Sequence, residues 1–152
     1  MKISLTINGV QKEVDVEERT LLADLLRDQL ALTGTHIGCD TSQCGCCTVL
    51  LDGAPVVSCL LPASAAAGKS VTTVEGIGSG GLHPIQKAFI DEQAAQCGFC
   101  LSGVVLTAKA YLDQNPKATD AQIQQAMSNV LCRCFTTTRM MKAIKRYATE
   151  RA

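Results

Sequence analysis

Eight of the nine cysteines in this chain of 152 residues fall into two sets of four. Cys39, Cys44 and Cys47 lie on one short stretch with the spacing C-x4-C-x2-C, and Cys59 follows. The other set is Cys97-x2-Cys100 with a later Cys132-x-Cys134. Thiolates that share a metal centre cross-link the segments that carry them, so each set dictates where four points of the chain must meet. Soft sulfur ligands suit iron–sulfur clusters and zinc alike, and ligand type does not separate the two. Spacing does more. Structural zinc usually takes two short cysteine knuckles, whereas three ligands on one loop with a distant fourth wrap a flatter two-iron rhomb.

By that test the first set reads as the plant-type ferredoxin pattern for a [2Fe–2S] cluster. The second is less decisive, since C-x2-C with a later C-x-C also fits zinc or a redox dithiol. The chain begins MKISLTING, directly in an alternating pattern, so no secretory leader is expected. Nine cysteines without such a leader favour metal over disulfides, because the cytosol keeps thiols reduced. Cys46, the ninth, sits between two ligand positions and reads as a small buried filler. His36 and His83, one before the loop and one in the glycine-rich stretch, fit no Rieske pair and read as ordinary surface or hydrogen-bonded groups.

Fourteen basic and fourteen acidic residues cancel, and no Lys/Arg-rich stretch interleaves with aromatics, which argues against nucleic acid as a partner. No apolar run reaches the roughly 18 residues of a membrane span. Aromatics make up only 3% of the chain, so a core of Leu, Val, Ile and Ala needs metal-bound thiolates as cross-links, and the apo form is expected to fold poorly. No Ser/His/Asp set, phosphate-cradling glycine motif or carboxylate pair is evident. No catalytic residue is therefore assigned.

The chain divides by pattern. Ile3, Leu5 and Ile7 alternate, Asn8-Gly9 supplies a type I′ turn, and Val10, Val14 and Val16 resume the alternation. Thr20 offers an N-cap to a helix carrying Leu21, Leu22, Leu25, Leu26 and Leu30. After the cysteine loop, Thr48–Leu51 and Val56–Cys59 flank Asp52-Gly53, and Ser70–Glu75 is a further strand. Gly76–Gly81, with four glycines, reads as a linker. Beyond it, helices are expected over Ile85–Gln93 and Leu101–Leu112, from the Thr119/Gln122 capping box, and over Arg139–Ala148. The expectation is an α+β chain: an N-terminal β-grasp, ferredoxin-like domain (1–75), a linker (76–83) and a C-terminal four-helix domain (84–152).

The runs GCDTSQCGCCTVLLDG (38–53), QAAQCGFCLSG (93–103) and NVLCRC (129–134) resemble the small iron–sulfur subunit, or N-terminal domain, of the xanthine oxidase-type molybdenum hydroxylases. The resemblance covers nearly the whole chain. It implies a second [2Fe–2S] cluster on Cys97, Cys100, Cys132 and Cys134, beside the first on Cys39, Cys44, Cys47 and Cys59. It implies a large subunit that holds molybdopterin cytosine dinucleotide and oxidises an aldehyde or N-heteroaromatic with oxygen from water. Electrons would leave through this chain one at a time. In the family the glutamine directly before the first cysteine of the second set, here Gln96, contacts the pterin, and the last cysteine, here Cys134, lies beside it.

After Cys134 the chain reads Phe135-Thr136 where a common family form has Thr-Gly. This is similar to the branch that includes isoquinoline, nicotinate and aldehyde dehydrogenases, many with cytochrome c-linked partners, so the acceptor is expected to be a c-type cytochrome or flavin subunit. Cytoplasmic assembly is expected, compatible with periplasmic or membrane association through partners. Two rivals stand beside this reading: a free-standing two-cluster ferredoxin and a zinc-stabilised interaction module. The segment 93–107 is nearly uncharged, and Ala94, Ala95, Phe99, Leu101, Val104 and Val105 are expected to form an apolar docking surface.

Overall fold

The computed structural model describes residues 1–151; Ala152, the last residue of the expected helical domain, lies outside them. β1 (Lys2–Ile7) and β2 (Val10–Asp15) pair antiparallel with Ile7 opposite Val10. Asn8 and Gly9 take φ of +50° and +82°, the left-handed pair that a type I′ turn needs. β3 (Thr48–Leu51) and β4 (Ala54–Val57) repeat the device at Asp52 and Gly53, with φ of +50° and +83°. β5 (Ser70–Thr72) then enters parallel to β1 and antiparallel to β3, giving the order β2-β1-β5-β3-β4. Pro55 is tolerated because β4 is an edge strand.

The helix α1 (Leu22–Asp24) continues as a π-helical turn over Leu25–Gln29, and Leu22, Leu25 and Leu26 are fully buried against the sheet. Thr20 does not cap it. The capping position is Leu21, without a side-chain bond, and the Thr20 carbonyl accepts instead from Ala63 N–H at 2.8 Å. A tertiary contact decides this start, since Leu21 bridges to Pro62. The strand expected to reach Glu75 stops at Thr72, and Val74–Ile77 form a helical turn, α2. Gly76, read as linker, lies so close to Asn8 that a Cβ would collide with its side chain. Asn8 in turn accepts from Thr73 N–H and donates to the Thr73 hydroxyl, both at 2.9 Å.

Four helices follow: α3 (Pro84–Asp91), α4 (Leu101–Gln114), α5 (Asp120–Ala126) and α6 (Thr137–Glu150). The capping box at Thr119 and Gln122 forms as its spacing predicts, and His83 with Gln86 makes another at α3. Two cores result. Leu5, Leu22, Leu25, Leu26, Val49 and Val71 fill the space under the sheet, and Ile85, Phe89, Leu112, Ile123 and Ile144 fill the space between the helices. Burying each Leu or Ile contributes about 1.5–3 kcal/mol. Leu106 and Ala110 on α4 reach across to Leu50 on β3 and join the two.

That bridging position corrects the docking expectation for Ala94, Val104 and Val105, whereas Ala95 and Phe99 are exposed and Leu101 is half-buried. Every residue from Ser102 to Ala108 is buried, because α4 packs on helices with one face and on the sheet with another. Ala94, Val104 and Val105 are core residues. The exposed large apolar side chains near the second cysteine set are Phe99, Leu131 and Phe135.

Candidate metal centres

The loop that carries the first set is held at its root. Arg27, from the π-helical turn, donates to the carbonyls of Thr33 and Thr35 at 2.9 and 2.5 Å, and Glu75 accepts from Gly34 N–H at 2.7 Å. Farther along, Asp40, Ser42 and Gly45 all take positive φ, so the backbone curls. Thr41 and Cys44 N–H groups both point at the Cys39 sulfur at 3.4 Å. The Thr41 hydroxyl and these amides draw the Cys39 thiol down to about 6. Cys59 is delivered from the end of β4, where Ser58 N–H and hydroxyl bond the Cys47 carbonyl at 3.3 and 2.7 Å. Its thiol faces Cys47 and Cys39, and burial pushes it up to about 11.

The second set meets across the helices. The Cys97 and Cys134 sulfurs are 3.3 Å apart, and the Cys132 sulfur lies 3.3 Å from the Thr136 hydroxyl. Gly98 takes φ +80°, the turn that lets Cys97 and Cys100 face the same way. Phe99 N–H, with the Cys134 thiol, draws Cys97 down, whereas burial, with Cys132 alongside, pushes Cys100 up to about 12. All four line one cavity of about 280 Å³, and Gly38, Cys44 and Cys46 line it with them. The two sets are therefore neighbours in space.

The donor chemistry fits [2Fe–2S] clusters. A two-iron rhomb takes two thiolates on each iron, so four sulfurs spread more widely than around one zinc ion. Amides directed at the Cys39 sulfur are the bonds that tune a ligating thiolate.

Cys46 is 4% exposed, with its thiol 3.9 Å from the Cys44 carbonyl, and burial pushes it up to about 12. It packs as a small apolar side chain. His36 stacks on Phe99 with ring centroids 4.7 Å apart and Nδ1 3.0 Å from the Phe99 carbonyl, and His83 caps α3. Gln96 and Cys134, distant in sequence, line a second cavity of about 410 Å³ with Phe135, Thr136, Arg139 and Lys142. Phe135 is held there at φ +59°, a costly backbone for an aromatic residue.

Comparison with known proteins agrees with this arrangement in both halves. Residues 5–71 match the 2Fe-2S iron-sulfur cluster binding domain family, and residues 73–145 match the [2Fe-2S] binding domain family. A nicotinate dehydrogenase subunit from Pseudomonas putida is 47% identical over 98% of this chain and 96% of its own length. The chain belongs to the small iron–sulfur subunits of the xanthine oxidase-type molybdenum hydroxylases. It is thus part of an oxidoreductase complex, with two [2Fe–2S] binding domains in series. Among solved structures, quinoline 2-oxidoreductase from Pseudomonas putida matches this small subunit with a TM-score of 0.94 and 44% identity, over 99% of this chain and 94% of that one. Aldehyde oxidoreductase from Desulfovibrio desulfuricans matches with a TM-score of 0.93 and 40% identity, over 98% of this small subunit but only 17% of that longer chain.

Several groups at the centres escape a reading of cysteine spacing. Thr41 and Thr136 each reach a thiol, Ser102 donates to the Cys46 carbonyl at 3.3 Å, and Arg139 and Lys142 border the cavity beside Gln96. The one signal along the chain is for Ser102: Ser102-Gly103 follows Cys100 after Leu101, a pair of small residues where a helix begins.

Proposed function

We propose that this small subunit carries electrons from the molybdopterin cytosine dinucleotide of a large partner subunit to a c-type cytochrome or flavin partner, through two [2Fe–2S] clusters. Cys39, Cys44, Cys47 and Cys59 would hold the loop cluster, and Cys97, Cys100, Cys132 and Cys134 the helical one. When bound, each cluster supplies a site that accepts and gives up a single electron. The observation that carries the reading is that Cys44 of the first set lines the same cavity as all four thiols of the second. Gln96 and Cys134, which line the larger cavity, would lie at the end where electrons enter. The loop set marks the exit.

In this reading residues 1–75 form the ferredoxin-like domain, 76–83 the connection and 84–152 the helical domain. Relatives named for nicotinate, quinoline and aldehyde support an N-heteroaromatic or an aldehyde as the substrate of the large subunit. No helix among the described residues is long and apolar enough to cross a membrane. We place assembly in the cytoplasm, with periplasmic or membrane association through partner subunits.

The test is metal analysis joined to two ligand variants. Anaerobically prepared protein should contain about four irons and four acid-labile sulfides per chain. Cys44→Ser should block transfer to the external acceptor while substrate still reduces the helical cluster. Cys100→Ser should stop the flow before the loop cluster. Two zincs per chain, or rapid reduction of the loop cluster by substrate in Cys100→Ser, would overturn the reading.

A further inference from the structure

Two threonines stand at the same place in two helices and do different things. Thr119, the N-cap of α5, has extended backbone at ψ 161°, and its hydroxyl accepts from Gln122 N–H at 3.4 Å. Thr136, the N-cap of α6, sits at ψ 7° and makes no side-chain cap bond. No acidic residue lies in the first turn of α6 to stand in for it. The first amides of this 14-residue helix are thus left without the partner that a threonine in this position ordinarily supplies. The hydroxyl goes instead to the Cys132 sulfur, 3.3 Å away and four residues back along the chain. Phe135 lies between them at φ +59°, so a costly turn and a forgone cap go with this one contact. Cys132 and Thr136 are both half-buried, which limits competition from water for the bond.

We propose that the Thr136 hydroxyl donates a hydrogen bond to the ligating thiolate of Cys132 and so raises the reduction potential of the helical cluster, a positioning residue that acts through that sulfur. The inference rests on the two-cluster reading above. A free thiol could give or take the hydrogen, but an iron-bound thiolate has none to give, so the hydroxyl must be the donor. Reduction adds one electron, and with it one negative charge, to the cluster. A donor on a ligating sulfur stabilises that reduced form more than the oxidised one. The hydroxyl proton stays on Thr136, and no bond to iron forms or breaks. The Cys39 sulfur of the loop set has its own donors, the Thr41 and Cys44 amides, so the two potentials can be moved separately. As the helical potential rises, uptake of an electron is favoured and its onward transfer opposed. One hydroxyl thereby sets how long electrons wait on the helical cluster.

The test is an anaerobic redox titration of the holo complex, followed by the EPR signals of both clusters, on Thr136→Val, Thr136→Ala, Thr136→Ser and, as control, Thr119→Val. Iron and acid-labile sulfide are measured first. An unsubstituted protein without a cluster on the helical set would overturn the functional reading, and this inference with it. With both clusters present, Thr136→Val should lower the helical potential so that, at fixed solution potential, the reduced-to-oxidised ratio falls about tenfold, which is about 59 mV for one electron. The loop cluster should keep its potential. Thr136→Ser retains the hydroxyl and should titrate with the unsubstituted protein. Thr119→Val, which loses a cap but no sulfur bond, should leave both potentials in place. Thr136→Ala decides if valine hinders assembly. An unchanged helical potential in whichever of the two keeps its clusters, or an equal shift in Thr136→Ser, would refute the proposal. So would loss of the helical cluster from both, because a bond that only trims a potential is not needed to hold iron.

Discussion

Burial favours the protonated Cys46 thiol between Cys44 and Cys47, the two neighbours proposed as ligands. Its side chain belongs to the apolar packing between loop and helices, so alanine should serve nearly as well. Cys46→Ala is expected to retain the full iron content and the loop cluster's EPR signal, at a cost of about 1 kcal/mol for the small cavity left behind. Thermal melting and EPR on the same sample check both halves of that statement. Disappearance of the loop signal would show that Cys46 ligates iron. The contrast with Cys39 is instructive, since the two thiols lie on one loop: N–H groups aimed at Cys39 favour its thiolate, whereas burial at Cys46 favours the neutral thiol.

Among the elements, α3 has the most condition-sensitive start. Its cap is His83, whose Nδ1 accepts from Ile85 N–H at 3.2 Å while Gln86 accepts from His83 N–H at 3.0 Å. Nδ1 accepts only when unprotonated. Burial first, then nearby Lys109 and Arg151, hold the His83 pKa below its ordinary 6.5 despite Asp113. The folded state therefore binds this proton less readily than the unfolded chain. Stability from the cap is complete above about pH 6.5 and declines as pH falls below it. His83→Asn, which caps without titrating, should flatten the dependence of Tm on pH between about 5 and 7 while preserving Tm above it. Identical slopes in the two proteins would contradict the role given to His83. By contrast, α1 shows an element whose start is set from outside, since Leu21 is pinned to Pro62 and the favourable Thr20 goes unused as a cap.

At the scale of the whole molecule, sheet and helices are bound through Leu106, fully buried against Leu50. Leu106→Ala is expected to cost about 2–5 kcal/mol. Because that residue belongs to the joint, sheet and helix probes should lose stability together in one denaturant transition. Two separated transitions, with the sheet unaffected, would show that the halves are energetically independent. The hairpins at Asn8-Gly9 and Asp52-Gly53, the capping box at Thr119 and the two cluster-binding domains were all legible in the amino-acid order, because each is written in residues only a few positions apart. Turn chemistry, capping and ligand spacing act over that range and survive in almost any surroundings. Tertiary packing alone decided that α4 is buried on two faces, that Gly45 meets Gly103, that the Cys44 carbonyl finds the Leu131 amide, and that Gln96 and Cys134 share a cavity wall. Those contacts join segments far apart in the chain and leave no periodicity along it, so they exist only once the loop has been pressed into the helices.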